Sequence, residues 1–413
     1  MTILSEGAFG QAARSPFSAL GIGEPYDNSL IYNQAMGGVG VSQPQYWFIN
    51  NQNPALLVFN YYTVFQAGAL VESRTVKGDT TKVENVNGNL NYLVLGLPIK
   101  PGKLTTSIGL MPFINRNYKL EYFDEVNNSN PADTVVVVEQ GSGGLAQLYW
   151  SNGVRVHDNW SVGLKAAYLF GSVNSEYTNT LVTVPHPTSY SIAVDEQTYI
   201  RGFQFTGGLS FSQDSIGTKK DLQISMGLTY GFKATPRAEK TTVFERRFVS
   251  GDPITSDTIY SNRGDITIPS NLTVGISIGK PSKWSTGIQY TMQDWGQFKD
   301  ITEGDNQNLG KTWKFSAGGE FTPDILSDKL FNRITYRTGI SYGIPPFLIN
   351  NNALKDFGIN FGLSLPAGRS SFDLAFTTGK RGDRSKNILE ETYYKVYFGI
   401  TFNDQWFIRR KFD

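Results

Sequence analysis

The 413-residue sequence contains no cysteine and only two histidines, His157 and His186. Without cysteine there is no disulfide framework, thiol chemistry or thiolate metal site. The two histidines lack the spacing of a metal-ligand pair. Lysine and arginine number 37 against 36 aspartates and glutamates, so the basic surplus that nucleic-acid binding requires is missing. Composition therefore predicts no metal, no cofactor and no nucleic-acid partner.

Long apolar runs are also missing. The longest aliphatic block is Val135–Val138, whereas a membrane-spanning helix needs about 18–20 apolar residues. A helical membrane protein is thereby excluded. One class of membrane protein remains, because a closed β-barrel satisfies all of its backbone groups between strands.

Enzyme motifs are weak. Gly275–Gly279 matches the nucleophile-elbow pattern, but it lies inside an alternating strand and no helix follows it. Two Arg-Gly-Asp triplets, Arg263–Asp265 and Arg381–Asp383, fall in or beside predicted loops, where turn chemistry explains them better than adhesion does. We predict that the chain is not an enzyme.

The sequence does have alternation, from Ala55 to its end. Apolar residues alternate with small or polar ones, which places one set on each face of a strand. Aromatic residues such as Trp160 and Phe170 stand at the ends of the apolar sets, as expected at two membrane interfaces. The apolar sets that should face lipid include Trp160, Ile276 and Phe398.

The alternating segments number about 14, an even count as in bacterial outer-membrane barrels. Short turns, such as 157–158 and 281–282, alternate with long polar loops, such as 174–197 and 234–263. Short turns in the periplasm and long loops outside are typical of such barrels. The pattern predicts an all-β fold, a transmembrane antiparallel β-barrel in the outer membrane of a Gram-negative bacterium, with both termini periplasmic.

The N-terminal part has no such period. Residues 1–12 look like the remnant of a signal peptide, with Gly10 and Ala12 at the spacing that signal peptidase prefers; an ordinary terminus is the alternative. Residues 13–56 are rich in Gly, Pro, Asn and Gln and are too long for a simple connection. A barrel of this size, predicted over 57–413, needs a plug in its lumen. Residues 13–56 are the candidate.

The run Ala35–Val41, followed after a spacer by Asn53–Ala55 directly before the first strand, resembles the hatch of FadL-type outer-membrane proteins. The resemblance implies a 14-stranded barrel with an N-terminal hatch inside it. The family takes up long-chain fatty acids and other hydrophobic small molecules. The implied hatch residues are Gly37, Gly38, Gly40, Asn53, Pro54 and Ala55. The stretch 14–23 is closer to divergent members that are similar to PorV, an accessory of secretion machinery.

Pro112 lies in the middle of the predicted third strand. Proline cannot donate a ladder hydrogen bond, so it belongs at strand edges or bulges. The resemblance implies a kinked third strand and a lateral opening in the wall near Pro112. A simple bulge without a passage is the alternative.

Several charged residues share the phase of the inward-facing positions. The cations are Lys165, Lys314, Arg333 and Arg337. Glu320 and Asp373 have the same phase. The cations could hold a carboxylate headgroup, or the charges could pair with one another inside the lumen.

Two functions remain open. The first is passive uptake of hydrophobic small molecules such as long-chain fatty acids, with membrane lipid and lipopolysaccharide around the barrel. The second is a non-transporting subunit of an outer-membrane secretion or assembly machine, within a protein complex. The predicted hatch disfavours a generic porin.

Overall fold

The computed structural model describes residues 13–78, 81–126, 134–182, 190–219, 221–248, 250–301, 308–349, 351–387 and 389–406. In these residues no helix is both long and apolar enough to cross a membrane. The described helices are single turns or little more: Pro16–Ala19, Ile31–Gln34, Pro54–Phe59, Trp295–Gln297, Leu330–Arg333 and Arg384–Asn387.

Fourteen antiparallel strands form a closed barrel. Three of them are interrupted, and their segments are labelled a and b. The bounds are β1 Thr63–Lys77, β2 Lys82–Lys100, β3a Leu104–Asn115, β3b Tyr118–Glu125, β4 Thr134–Arg155, β5 Trp160–Leu181, β6 Tyr190–Ile216, β7a Leu222–Gly231, β7b Arg237–Phe248, β8a Pro253–Asp265, β8b Asn271–Lys280, β9 Trp284–Asp294, β10 Lys311–Phe321, β11 Thr335–Ile344, β12 Asp356–Ala367, β13 Ser370–Gly382 and β14 Glu390–Asp404. Pairing of β1 with β14 closes the barrel.

Alternation decides which side chains face lipid. Trp160 on β5 is exposed and its neighbour Ser161 is buried. On β8b, Ile276 lies on the face opposite the buried Ser277, and Phe398 on β14 is 49% exposed. Because the outward face is apolar and the inward face is small or polar, the barrel has the surface of a transmembrane β-barrel. The predicted outward sets are confirmed.

Connections at one end of the barrel are short, for example 281–283 and 368–369; this is the short-turn end. The opposite, long-loop end carries longer connections, such as those between β9 and β10 and between β11 and β12. One connection at the short-turn end is an exception, because it contains the helix Leu330–Arg333. The Ile334 N–H bonds back to the Leu330 carbonyl, and β11 starts only at Thr335. The prediction that Arg333 lies on a strand is therefore wrong, and Arg333 is not among the residues that line the lumen cavity.

Two stretches predicted as loops, 174–197 and 234–263, are largely strand. β5 and β6 contain 22 and 27 residues, whereas a tilted strand needs only about 9–11 to cross the bilayer. The extra residues extend the wall at the long-loop end. Outside lipid, a strand has no need of an apolar face, so the extensions carry no alternating signal.

Residues 13–60 lie inside the barrel and are called the lumen segment. β1 begins at Thr63 and not near residue 57, because Pro54–Phe59 forms a buried 3-10 helix. At the other end of the segment, Phe17 packs against Phe347 and Leu354, in the connection between β11 and β12. The lumen segment thus runs from the long-loop end to the short-turn end. Ala13, the first described residue, lies at the long-loop end; the predicted position of the N-terminus itself falls on residues outside the described ones.

Candidate functional site: the barrel lumen

Close backbone contact fixes the deeper part of the lumen segment, residues 27–60. Gly318 on β10 and Gly339 on β11 face Met36 so closely that a Cβ on either would overlap its backbone. A Cβ on Gly208 of β6 would overlap the Asn53 side chain. Only glycine permits such an approach between two chains. The inward-facing glycines of the alternating pattern are therefore the positions at which the lumen segment packs against the wall.

The three glycines predicted for the hatch lie just after the helix Ile31–Gln34. Gly37 and Gly38 have positive φ angles of 74° and 96°, a conformation that glycine adopts without strain. The Gly40 N–H donates to the side-chain oxygen of Gln289 on β9, at 2.9 Å. These glycines reverse the chain and attach it to the wall.

Asn53, Pro54 and Ala55 begin the last helix of the lumen segment. The Asn53 side-chain oxygen accepts from the Ala55 N–H at 3.0 Å, which caps the helix. Pro54 lies against Gly163 of β5. A Cβ added to Gly163 would lie only 2.5 Å from the Ala55 nitrogen. The motif that carried the family resemblance therefore lies at the contact between lumen segment and wall.

Charge fixes the first part of the lumen segment, residues 13–26, which is called the strap. The Glu24 carboxylate lies between Arg74 on β1, at 2.9 Å, and Arg381 on β13, at 2.7 Å. Arg74 also contacts Glu72 and Glu391. Burial alone would raise the pKa of Glu24, but the Arg381 and Arg74 guanidinium groups hold it well below its usual value.

Sequence reasoning missed this ion cluster. Arg381 drew notice only as part of an Arg-Gly-Asp triplet, yet its side chain is buried in the lumen. Glu24 lies in the aperiodic stretch, where no pattern predicts its direction. The alternation on β1 could have predicted that Arg74 faces the lumen, and its side chain is indeed buried there.

The wall is interrupted beside Pro112. Pairing of β3a with β2 stops at Leu110, opposite Leu93, and in the described residues the two strands are not paired directly with each other beyond that point. On its other side, β3a stays paired with β4 through Pro112, with a bulge at Phe113. The interruption therefore affects one side of the third strand only.

The strap crosses this interruption. Glu24–Pro25 pairs with Ile114–Asn115 as a very short antiparallel strand. On the side of β2, the Arg14 N–H donates to the Asn85 side-chain oxygen at 2.6 Å, and the Asn85 amide donates back to the Arg14 carbonyl at 3.1 Å. Residues of the strap thus bond to both strands that have separated.

A cavity of about 390 Å³ lies between the lumen segment and the long-loop end. Polar side chains outnumber apolar ones in its lining, which also includes Leu70, Phe113, Trp313 and Phe347. The neutral polar side chains on its wall include Gln147, Gln204, Thr229, Asn271, Thr273 and Gln289. An apolar molecule would leave these amides and hydroxyls without hydrogen-bond partners. The lining therefore suits water or a polar ligand.

Two of the four cations predicted to face the lumen have carboxylate partners. Arg337 Nε lies 3.0 Å from Glu320, and Lys314 Nζ lies 2.6 Å from Asp27 of the lumen segment. Arg333 lies in a connection at the short-turn end. Arg337 and Lys314 thus follow the alternative reading of the sequence, in which lumen charges pair with one another.

Lys165 differs from the other cations. It is 5% exposed and lines the cavity. Its ammonium group donates to the Asn51 carbonyl at 3.3 Å and lies 5.0 Å from the centre of the Tyr149 ring. No ion pair joins it to a carboxylate in the described residues.

The family model BamG matches residues 1–413 of the sequence. The chain belongs to the BamG family. No curated protein matches this BamG-family sequence.

Solved structures similar to this BamG-family protein are FadL-type channels. The toluene transporter TodX of Pseudomonas putida is 15% identical, with a TM-score of 0.55 over 93% of this chain and 99% of that one. A FadL homologue of Pseudomonas aeruginosa is 11% identical, with a TM-score of 0.56 over 92% and 98%. The monoaromatic hydrocarbon channel CymD is 13% identical, with a TM-score of 0.56 over 93% and 98%. At these identities the likeness concerns the fold. The predicted 14-stranded β-barrel with a FadL-like fold is confirmed.

Proposed function

We propose that this protein is a closed barrel that serves as a subunit of an outer-membrane assembly or secretion machine. The chemistry of the lumen carries the proposal. A path for a hydrophobic compound needs an apolar lining. Transfer of a methylene group from water is favourable by about 0.8 kcal/mol, and only when its new surroundings are apolar. Here amides, hydroxyls and ion pairs line the cavity, and burying an unpaired polar group costs about 1–3 kcal/mol.

The way the lumen segment is held also favours a closed barrel. Its deeper part is seated on wall glycines, and Glu24 of the strap is bound by two buried arginines. The family designation BamG points in the same direction, towards an outer-membrane complex. In this proposal the short-turn end faces the periplasm, the barrel is surrounded by lipid and lipopolysaccharide, and the partners are proteins of the complex. The chain has no catalytic role.

Purification from the native membrane in a mild detergent tests this proposal. With an affinity tag after β14, we expect proteins in stoichiometric amounts to remain bound through washing. The purified chain alone should show no conductance in planar bilayers. A chain that elutes without protein partners, but with a bound lipid-like molecule, would reject the subunit role and favour uptake.

Deleting residues 14–51 tests whether the lumen segment closes the barrel. The deletion removes both the strap and most of the deeper part, so the conductance of the barrel should rise. The chain with residues 14–51 intact is the control, reconstituted at the same density. Equal conductance of the two proteins would show that the lumen segment is not a plug.

Uptake of hydrophobic compounds is the second candidate, because the ladder between β2 and β3a stops beside Pro112. A fatty ligand that left sideways into lipid would avoid exposing its tail to water. In this candidate the strap moves away from the interruption to let the ligand pass.

The substitution Pro112→Val tests the second candidate. Valine supplies the N–H that proline lacks, which favours continued pairing of β3a and should slow uptake of a labelled long-chain fatty acid. Pro366→Val is the matched control, since Pro366 lies in a paired part of β12, away from the interruption. Equal uptake by both variants and by the unaltered chain would remove the lateral route.

A further inference from the structure

Four cationic side chains are buried in the described part of the chain: Arg74, Lys165, Arg337 and Arg381. The three arginines all have carboxylate partners within 3.2 Å. Lys165 has a backbone carbonyl and the face of an aromatic ring instead. A buried charge without a counter-charge is costly. The wall therefore holds one cation that is only partly compensated.

The other charged side chains that line the cavity have partners of opposite charge. Its lining contains five cationic and four carboxylate side chains. Each carboxylate is close to a cation: Asp27 pairs with Lys314, and the other three, Glu24, Glu72 and Asp356, belong to the cluster around Arg74 and Arg381. Glu391, buried behind the lining, adds a further carboxylate to this cluster through its pair with Arg74. In the described residues, Lys165 is the lining cation without a carboxylate beside it. An ammonium group has three donors, and the Asn51 carbonyl uses one of them.

A further donor lies on the neighbouring strand, β6, where Gln204 and Thr206 pair with Ala167 and Lys165. Gln204, on the strand next to that of Lys165, is buried and also lines the cavity. A cation beside a neutral amide is suited to an oxyanion that has several acceptor oxygens.

We propose that Lys165 binds the phosphate group of a small polar molecule in the lumen cavity, with the Gln204 amide as an additional donor. Phosphate supplies acceptors for both side chains and the negative charge that is missing beside Lys165. The polar lining accepts a polar remainder of the ligand better than a fatty chain. The phosphate belongs either to a free small molecule or to the headgroup of a lipid.

Binding of phosphate to the full chain in a nonionic detergent tests this site. We expect saturable binding of inorganic phosphate in calorimetric titration, and the variant Lys165→Met should bind at least about tenfold more weakly. Lys280→Met is the matched control, because Lys280 pairs with Asp221 at the short-turn end; its affinity should stay within about twofold. No binding to the unaltered chain at phosphate concentrations on the order of 10 mM would overturn the proposal. Equal binding by Lys165→Met would also overturn it.

Thermal unfolding gives a second readout and reports whether the variant is folded. Phosphate should raise the melting temperature of the unaltered chain, since a ligand of the native state stabilises it. Without phosphate, Lys165→Met should melt at the same or a higher temperature, and phosphate should not shift it. A short-chain phosphatidic acid is the second probe: tighter binding than inorganic phosphate indicates a lipid headgroup, and equal binding indicates a free molecule. A phosphate-induced shift of equal size in Lys165→Met would contradict the site.

Discussion

The two parts of the lumen segment are attached to the same wall by different forces. The deeper part, residues 27–60, touches the wall through backbone, at glycines such as Gly208 and Gly339. The strap, residues 13–26, touches it through ion pairs and hydrogen bonds, with Glu24 at the centre, and through the packing of Phe17 against Phe347 and Leu354. Close backbone packing is central to holding the deeper part, and charge is central to holding the strap.

The difference indicates which part can be released separately. Close packing over many glycines gives way only if the whole segment shifts, because interiors tolerate little overlap. An ion cluster depends on a few groups and is weakened by the loss of one charge. Since the strap also crosses the interrupted wall beside Pro112, its release would expose that interruption while the deeper part stayed in place.

The largest effect is expected from Glu24→Gln. The substitution keeps the shape but leaves Arg74 and Arg381 with fewer counter-charges, which should destabilise the strap by about 3 kcal/mol, at the low end for a broken buried pair. The chain has no cysteine, so a single reporter, Ala13→Cys, can measure strap release by its rate of maleimide labelling. We expect that rate to rise more than about tenfold, while labelling of Ala55→Cys in the deeper part stays unchanged.

The control for this experiment is Glu239→Gln. Glu239 pairs with Arg263 at an exposed position, and exposed pairs contribute about 0–1 kcal/mol or less. Labelling at Ala13→Cys should therefore hardly change. If Glu24→Gln exposed both reporters equally, the two parts of the lumen segment would move as one unit.

A smaller effect is expected from Gly208→Ala. The new Cβ would overlap the Asn53 side chain and lie 2.8 Å from the Pro54 ring; such overpacking costs about 1–3 kcal/mol. Labelling of Ala55→Cys should rise and labelling of Ala13→Cys should not. The adjacent Gly207→Ala is the control, since a Cβ there would be 3.8 Å from its nearest neighbour, Phe232. Identical behaviour of the two alanine variants would contradict the seating of the lumen segment on inward glycines.

The smallest effect is expected from pH. The pKa of Glu24 lies below its usual value in the folded protein, so its contribution to stability is fully present above the ordinary carboxylate pKa of about 4.3. That contribution is lost as the pH falls through the lowered value. The difference in melting temperature between the unaltered chain and Glu24→Gln should therefore be constant from about pH 8 to 5 and shrink only in stronger acid. A difference that shrank near neutral pH would contradict the lowered pKa.

The barrel could be predicted because its signal is local. Side chains on a strand alternate with a period of two, so Trp160 and Ser161 take opposite faces whatever their distant neighbours are. The same rule placed Lys165, Lys314 and Arg337 in the lumen, where the structure has them. It failed for Arg333, because one helical turn before β11 breaks the period. The period-two rule also did not predict the polar extensions of the strands at the long-loop end.

The sequence by itself determined the barrel, its approximate strand number and its lipid-facing residues, since each follows from periodicity within a short stretch. The tertiary structure decided the partner of every lumen charge. Glu24 and Arg381 are 357 residues apart, and only the closure of the barrel and the path of the lumen segment bring them together. The register of the consecutive strands β10 and β11 gives Arg337 a carboxylate, Glu320, whereas the path of the lumen segment leaves Lys165 with a carbonyl. A local pattern fixes the direction of a side chain, whereas the group that it meets depends on the register of strands far away in the sequence.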